Sequence, residues 1–268
     1  MSKLIVEGDS NYEFFTTNDG SPSICLSSDK FRPEAMHHRD GALAESLFVY
    51  KGVLHEALEL GCPPRVLSLG IGCGYNEMIA VAYILHTKKT LSDFYLESFE
   101  GDTNLRTSFT NWLLDMTSAS ELQSEIYGTL NKVLDCVANE FTLKPQFIKS
   151  QLLELYEKKQ FILREWLTSD TDFSTIFGVI FFDAFSSKST PELWTENFLK
   201  MFLKKVAAPN CALATYAATG SLNRALKESN FILKKQKGFS GKRESTRALR
   251  LTNSVNRPIP MTMLGSNQ

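Results

Sequence analysis

The sequence predicts an α/β fold, a largely parallel sheet with helices on both faces, from three observations. Short apolar runs of strand length alternate with stretches of helical period along most of the 268 residues. Val66-Leu67-Ser68-Leu69 runs into Gly70-Ile71-Gly72-Cys73-Gly74, and a helical stretch from Asn76 to His86 follows. The next strand, Phe94 to Phe99, closes on Glu100, an acid some 26 residues beyond that loop. This spacing suits a nucleoside-binding unit.

In chain order, Leu4 to Val6 and Glu13 to Thr16 are β-prone runs around Gly8-Asp9-Ser10-Asn11, and Asn18-Asp19-Gly20-Ser21-Pro22 is a second turn signal. They predict a β-hairpin extension over 1–40. From Gly41 to Leu60 apolar residues recur at three and four spacing, a helix that Gly61 and Pro63-Pro64 end. Between Asp102 and about Gln160 the composition is helix-forming and Pro145 is the one proline, which predicts an insertion of two to four helices. Alternation resumes with strands at Phe161-Ile162-Leu163, Val179 to Asp183 and Cys211 to Tyr216, and with helices at Pro191 to Lys205 and Ser221 to Ser229. Phe231-Ile232-Leu233 and Arg247 to Leu251 read as closing strands. The expected main domain is 41–255, with 256–268 as a tail.

Composition narrows the function classes. The chain is 43% hydrophobic and 22% charged with 15 Gly and 9 Pro, which fits a packed core and excludes a disordered or collagen-like chain. No apolar run approaches the roughly 20 residues that span a bilayer, and the polar start lacks a secretory signal pattern. Residence in the cytoplasm, with no membrane partner, is the expectation. Five cysteines without a C-x-x-C pair give neither a disulfide framework nor a zinc ribbon. His37, His38, His55 and His86 have no acid or cysteine at ligand spacing, so no metal site is expected. The net charge of −1 gives no global field for nucleic acid.

Chemistry concentrates at a few positions. The glycine loop lets main-chain N–H groups and a helix N-terminus approach a ligand. Its G-x-G-x-G spacing departs from the dinucleotide pattern, with Tyr75 where that pattern has glycine, and suits S-adenosylmethionine instead. Glu100 can accept from both ribose hydroxyls. Asp183 follows an apolar strand and is followed by a loop rather than a helix start, so its carboxylate stands at the ligand-binding edge of the sheet. His37 sits in a polar segment that can line a pocket. From Lys234 to Arg250 seven basic residues face one acid, Glu244, with Gly238, Phe239 and Gly241 between them. That pattern predicts a flexible, basic, aromatic-bearing loop for phosphate and base contacts.

Several segments together resemble the methyltransferase domain of the MnmC family, which modifies the wobble uridine of bacterial tRNA. They are Glu34 to Ser46 (EAMHHRDGALAES), Leu69 to Asn76 (LGIGCGYN), Ser98-Phe99-Glu100, Phe182-Asp183-Ala184-Phe185-Ser186, Ser189 to Trp194 (STPELW), Thr215 to Ser221 (TYAATGS) and Gly238 to Glu244 (GFSGKRE). Order and spacing agree from about residue 30 to 250. The resemblance implies a Rossmann-like class I fold with a mostly parallel seven-stranded sheet. It implies S-adenosylmethionine as donor, S-adenosylhomocysteine as product, and 5-aminomethyl-2-thiouridine as acceptor, which becomes the 5-methylaminomethyl form.

By the resemblance His37, Gly70, Gly72, Gly74, Asn76, Glu100 and Asp183 hold the cofactor, and Glu165, in Arg164-Glu165 where the family has Gly-Asp, replaces the adenine-contacting acid. Asp183 also meets the acceptor amine as the catalytic residue. Phe185, Tyr216, Phe239, Lys242 and Arg243 line the substrate side. No second glycine motif is present for the FAD oxidase domain that MnmC enzymes often carry, so the stand-alone form, without FAD, is the nearer likeness. The tRNA anticodon loop is then the partner, with a separate oxidase or the aminomethylation enzymes supplying the precursor. Open alternatives are another nucleobase or small amine as acceptor, aminopropyl transfer as in polyamine synthases, and a non-catalytic tRNA-binding protein.

Overall fold

A computed structural model describes residues 2–5, 11–28, 31–184, 188–241 and 244–252; at 2–5, 28, 31, 32 and 235 it describes the backbone alone. The chain opens with an antiparallel four-stranded meander, β1 (Ser2–Ile5), β2 (Asn11–Thr16), β3 (Pro22–Ser28) and β4 (Phe31–Ala35). The predicted hairpin is therefore its first half. Next come α1 (Ala42–Ser46), one π-turn over Leu47–Lys51, and α2 (Gly52–Glu59). The predicted single helix is thus widened at its middle.

The main sheet is built by β5 (Arg65–Leu69), β6 (Tyr95–Phe99), β7 (Phe161–Arg164), β8 (Phe177–Phe182), β9 (Ala207–Thr215), β10 (Ile232–Gln236) and β11 (Ser245–Arg250). Their order is β10-β11-β9-β8-β5-β6-β7. β7, β6, β5, β8 and β9 run parallel, while β11 is antiparallel to both its neighbours. The strand order reverses between β5 and β8, where open α/β sheets place their ligands.

Alternation along the strands divides the core. Val66, Val179 and Phe181 face one side, and Leu67, Leu69, Ile180 and Phe182 the other. β8 is buried throughout, as expected of a central parallel strand. On the first face lies α3 (Tyr75–Lys88), buried on all sides from Tyr75 to Leu85 and apolar around its circumference for that reason. It is covered by α4 (Thr103–Leu113), α5 (Glu121–Phe141) and α6 (Pro145–Glu157), the insertion between β6 and β7. Asp102 and Ser120 cap α4 and α5 by accepting from Leu105 and Gln123 N–H, and Pro145 opens α6. The other face is covered by α7 (Glu196–Val206) and α8 (Gly220–Glu228).

The basic segment departs from its prediction. Lys234 and Arg247 lie in paired strands and both meet Glu56 of α2, with Arg247 lying over Gly52. Arg250 donates to the carbonyls of Ala207 and Ala208 and covers Phe231. A sequence run cannot show these partners, because each comes from a distant element. What had read as a basic loop is, among the described residues, a β-hairpin in which Lys234, Arg247 and Arg250 have structural partners. Among the described residues no helix is long and apolar enough to cross a membrane.

Candidate active site

Three strand ends converge on the site. β5 leaves the sheet at Leu69, and Gly70, Gly72 and Gly74 all adopt positive φ in the turn into α3. Gly70 shows the reason: at φ +92° its missing Cβ would lie 2.7 Å from the Asp183 carbonyl oxygen. Gly72 faces the other way, and a Cβ there would lie 2.9 Å from the Met36 sulfur, just past β4. The loop is clasped between the exit of β8 and the N-terminal meander. Tyr75 strengthens that contact by donating to the Pro22 carbonyl at 2.9 Å. Tyr12 does the same across the next loop, donating to the Asp102 carboxylate at 2.7 Å.

Glu100 follows β6 and reaches back under the glycine loop. Oε2 accepts from Gly72 N–H at 2.9 Å and from Ile71 N–H at 3.2 Å, and Oε1 accepts from Asp102 N–H at 2.8 Å. Burial pushes its carboxyl up to about 7, with Asp102 adding to the rise and these amides opposing it. A carboxylate has about four acceptor positions, so a ribose diol here shares or displaces the amide contacts.

Asp183 follows β8. Its Oδ2 accepts from the Asn76 side-chain amide at 2.7 Å. The buried Tyr50 hydroxyl, from the π-turn, faces the same carboxylate without closing a hydrogen bond of standard geometry. Loss of solvent raises Asp183 to about 7, and the nearby Glu45 and Glu77 push the same way against Tyr50 and Asn76. Glu77, in the first turn of α3, is itself raised to about 7 by burial, with Ser98 Oγ donating at 2.8 Å and Oε2 left unpartnered. Tyr216 donates to the Ala184 carbonyl at 2.8 Å and feels the negative charge of Asp183, Glu34 and Glu45. Carboxyl groups thus cluster around Asp183.

Aromatic side chains form one rim. Phe239 packs edge-on to His38 at 5.8 Å and tilted to Phe48 at 6.1 Å, while Ser240 donates to Asp40. Glu45 accepts from His38 N–H at 2.6 Å, which joins this rim to the acids.

The structure thus brings together Gly70, Gly72, Gly74, Asn76, Glu100, Asp183 and Tyr216. His37 lies against Tyr75 with rings 4.9 Å apart, Nδ1 at 2.9 Å from Ser23 Oγ. Glu165 stands at the outer end of β7, mostly exposed, paired with Arg106 at 3.3 Å. Phe185, Lys242 and Arg243 lie outside the described residues, as does the 256–268 tail. Tyr50, Glu45 and Glu77 escaped sequence reasoning, since each is one residue of a helical pattern whose meaning depends on a strand more than 100 positions away. No group of three or more His, Cys, Asp or Glu among the described residues is arranged to hold a metal ion.

An S-adenosylmethionine fits this residue set. The Asn76 Oδ1 atom is buried without a hydrogen-bond partner, an acceptor left for a ligand donor. The acid lining suits a cationic sulfonium and an ammonium group.

Comparison with known proteins points to methyltransferases. Residues 163–251 match the family described as S-adenosyl-L-methionine-dependent methyltransferase. Over 97 residues the chain is 36% identical to the tRNA 5-methylaminomethyl-2-thiouridine biosynthesis bifunctional protein MnmC of Hahella chejuensis, a match covering 36% of this chain and 15% of that protein. It is 27% identical over 252 residues to an uncharacterized protein of Methanocaldococcus jannaschii, covering 94% of this chain and 63% of the other. The crystal structure of MnmC2 from Aquifex aeolicus superposes with a TM-score of 0.60 at 23% identity, over 95% of this chain and 73% of that one. The chain spans less than two thirds of the length of these curated relatives, resembles MnmC proteins in sequence over part of its own length, and has the class I methyltransferase fold.

Proposed function

We propose that the chain is an S-adenosylmethionine-dependent methyltransferase that acts on the aminomethyl nitrogen of 5-aminomethyl-2-thiouridine at the tRNA wobble position. The observation that carries this reading is the Asp183 carboxylate, raised to about 7 and fixed by Asn76, on a residue whose backbone carbonyl lies against Gly70 of the glycine loop. Two sources support the acceptor: the tRNA modification for which the Hahella relative is named and the carboxyl groups clustered around Asp183, which attract an alkylammonium group.

The glycine loop, Asn76 and Glu100 would hold the cofactor, with His37 behind Tyr75 and Glu165 at the outer lip. When bound, the cofactor supplies an electrophilic methyl carbon and leaves as the thioether S-adenosylhomocysteine. Asp183 orients the acceptor amine, accepts its proton and returns it to water, so that the nitrogen lone pair is free to form the N–C bond as the S–C bond breaks. Tyr50 and Asn76 keep the carboxylate in one rotamer. Tyr216, through Ala184, fixes the strand exit on which Asp183 rides. The wobble base belongs to a single-stranded anticodon loop, where it can be splayed and stacked. Phe239, at the rim, is placed for that, and Phe185, Lys242 and Arg243 complete the tRNA side of this reading. The cytoplasm, where tRNA and the enzymes that install the aminomethyl group are found, is the setting.

A free di- or polyamine is the second reading. It is favoured by the same acid lining and by the pairing of Lys234 and Arg247 with Glu56, which offsets part of the charge that would repel a polycation. Transfer of labelled methyl to tRNA that lacks only the final wobble methyl, followed by nucleoside analysis, decides between them. Appearance of 5-methylaminomethyl-2-thiouridine supports the tRNA reading. Label found only in a supplied amine overturns it.

A further inference from the structure

We infer that Trp166 forms the stacking wall for the adenine of the bound cofactor, an inference that rests on the cofactor reading above. β6 and β7 are paired in parallel with Phe99 opposite Arg164, and Glu100 N–H donates to the Arg164 carbonyl at 3.0 Å. Glu100-Gly101 and Glu165-Trp166 therefore leave the sheet side by side. The six-membered ring of Trp166 lies directly on Gly101, so close that any Cβ there would collide with it. Glycine at 101 is what admits the indole. Arg106 braces this corner, donating to the Glu100 carbonyl at 2.8 Å and pairing with Glu165.

The ring is nonetheless 63% exposed, whereas Trp112 and Trp194 are 3% and 4% exposed. A large aromatic held against backbone with its remaining surface bare, one residue from the acid suited to ribose, is a ready platform for a π-face. Direction follows from the two ends of the ligand. Its methyl must reach Asp183, on the β5 and β8 side of Glu100, so the base attached to the same ribose extends the other way, toward β7 and Trp166.

Stacking of this kind changes affinity by roughly 5- to 150-fold when the aromatic ring is removed. The test titrates S-adenosylhomocysteine into the full chain, followed by tryptophan fluorescence and by calorimetry. Wild-type chain is expected to show saturable quenching, and L-methionine alone none. Trp166→Ala should weaken Kd about tenfold or more, with an unchanged melting midpoint for the ligand-free chain, and Trp166→Phe should restore most of the affinity. Binding of S-adenosylhomocysteine by Trp166→Ala within twofold of wild type overturns the inference and leaves the cofactor reading intact. Absence of any binding heat with wild type overturns both.

Discussion

The side-chain amide of Asn76 donates to Oδ2 of Asp183 at 2.7 Å, joining the first turn of the helix behind the glycine loop to the end of the central strand. One hydrogen bond thus couples the helix proposed to face the cofactor to the acid proposed to meet the acceptor. A hydrogen bond to the ionised form favours that form, so Asn76 holds Asp183 below where burial alone would leave it. Asn76→Ala is expected to move the acidic limb of the pH–rate profile upward by roughly one unit. Methyl-transfer rates in both proteins between pH 5.5 and 9 check this, and an unmoved limb counts against the coupling.

In the wild type the same limb should have its midpoint near 7, the value to which Asp183 is raised. The proton-accepting carboxylate predominates above that pH and is lost below it, so the rate falls about tenfold per pH unit on the acid side. A flat profile between 5.5 and 7.5 would assign the proton to another group.

Asp183→Asn keeps an oxygen for the Asn76 amide but cannot take a proton. Turnover is expected to fall by roughly 10²- to 10⁴-fold, with the affinity for S-adenosylhomocysteine within a few-fold of wild type. Equal losses in binding and turnover would make Asp183 a cofactor ligand only.

Glu77 has a folded-state carboxyl raised to about 7. Folding therefore takes up protons between the ordinary carboxylate range and about 7, and this contribution to stability declines as pH rises through that window. Glu77→Gln keeps an acceptor for Ser98 and removes the ionisation. The variant should be more stable than wild type by roughly 1–3 kcal/mol at pH 8 and nearly equal to it at pH 4.5. Urea unfolding at the two pH values measures the difference.

Gly70→Ala is expected to destabilise by roughly 2–4 kcal/mol, since it adds a Cβ at positive φ and against the Asp183 carbonyl at once. Far-UV melting reads the loss. A variant that melts like wild type would mean that the β5 and β8 exits can separate freely.

Much of this arrangement could be read from sequence because it is local. Leu69-Gly70 and Phe182-Asp183 are strand ends marked by a change from apolar to small or acidic residues, and Glu100 closes its strand in the same way. The second half of the meander was hidden for a physical reason. Ser21 to Leu26 is buried on both faces, so polar and apolar positions do not alternate. The basic hairpin was misread because Glu56, which pairs with both Lys234 and Arg247, lies 178 positions before the first of them. Tyr50 was one more apolar residue of a helix until the π-turn aimed its hydroxyl at Asp183.

That turn makes the segment a length gauge. An α-helix rotates about 100° per residue, and the extra residue held by Leu47–Lys51 sets the phase between α1 and α2. α2 is fixed by Val53 and Leu54 in the core and by the Glu56 ion pairs. Deleting one residue from the turn would therefore swing Glu45 and its neighbours around the axis while the sheet stayed as it is. A change in chain length at this one place would recompose the acid lining of the cleft, giving such proteins a simple route to a different acceptor on an unaltered scaffold.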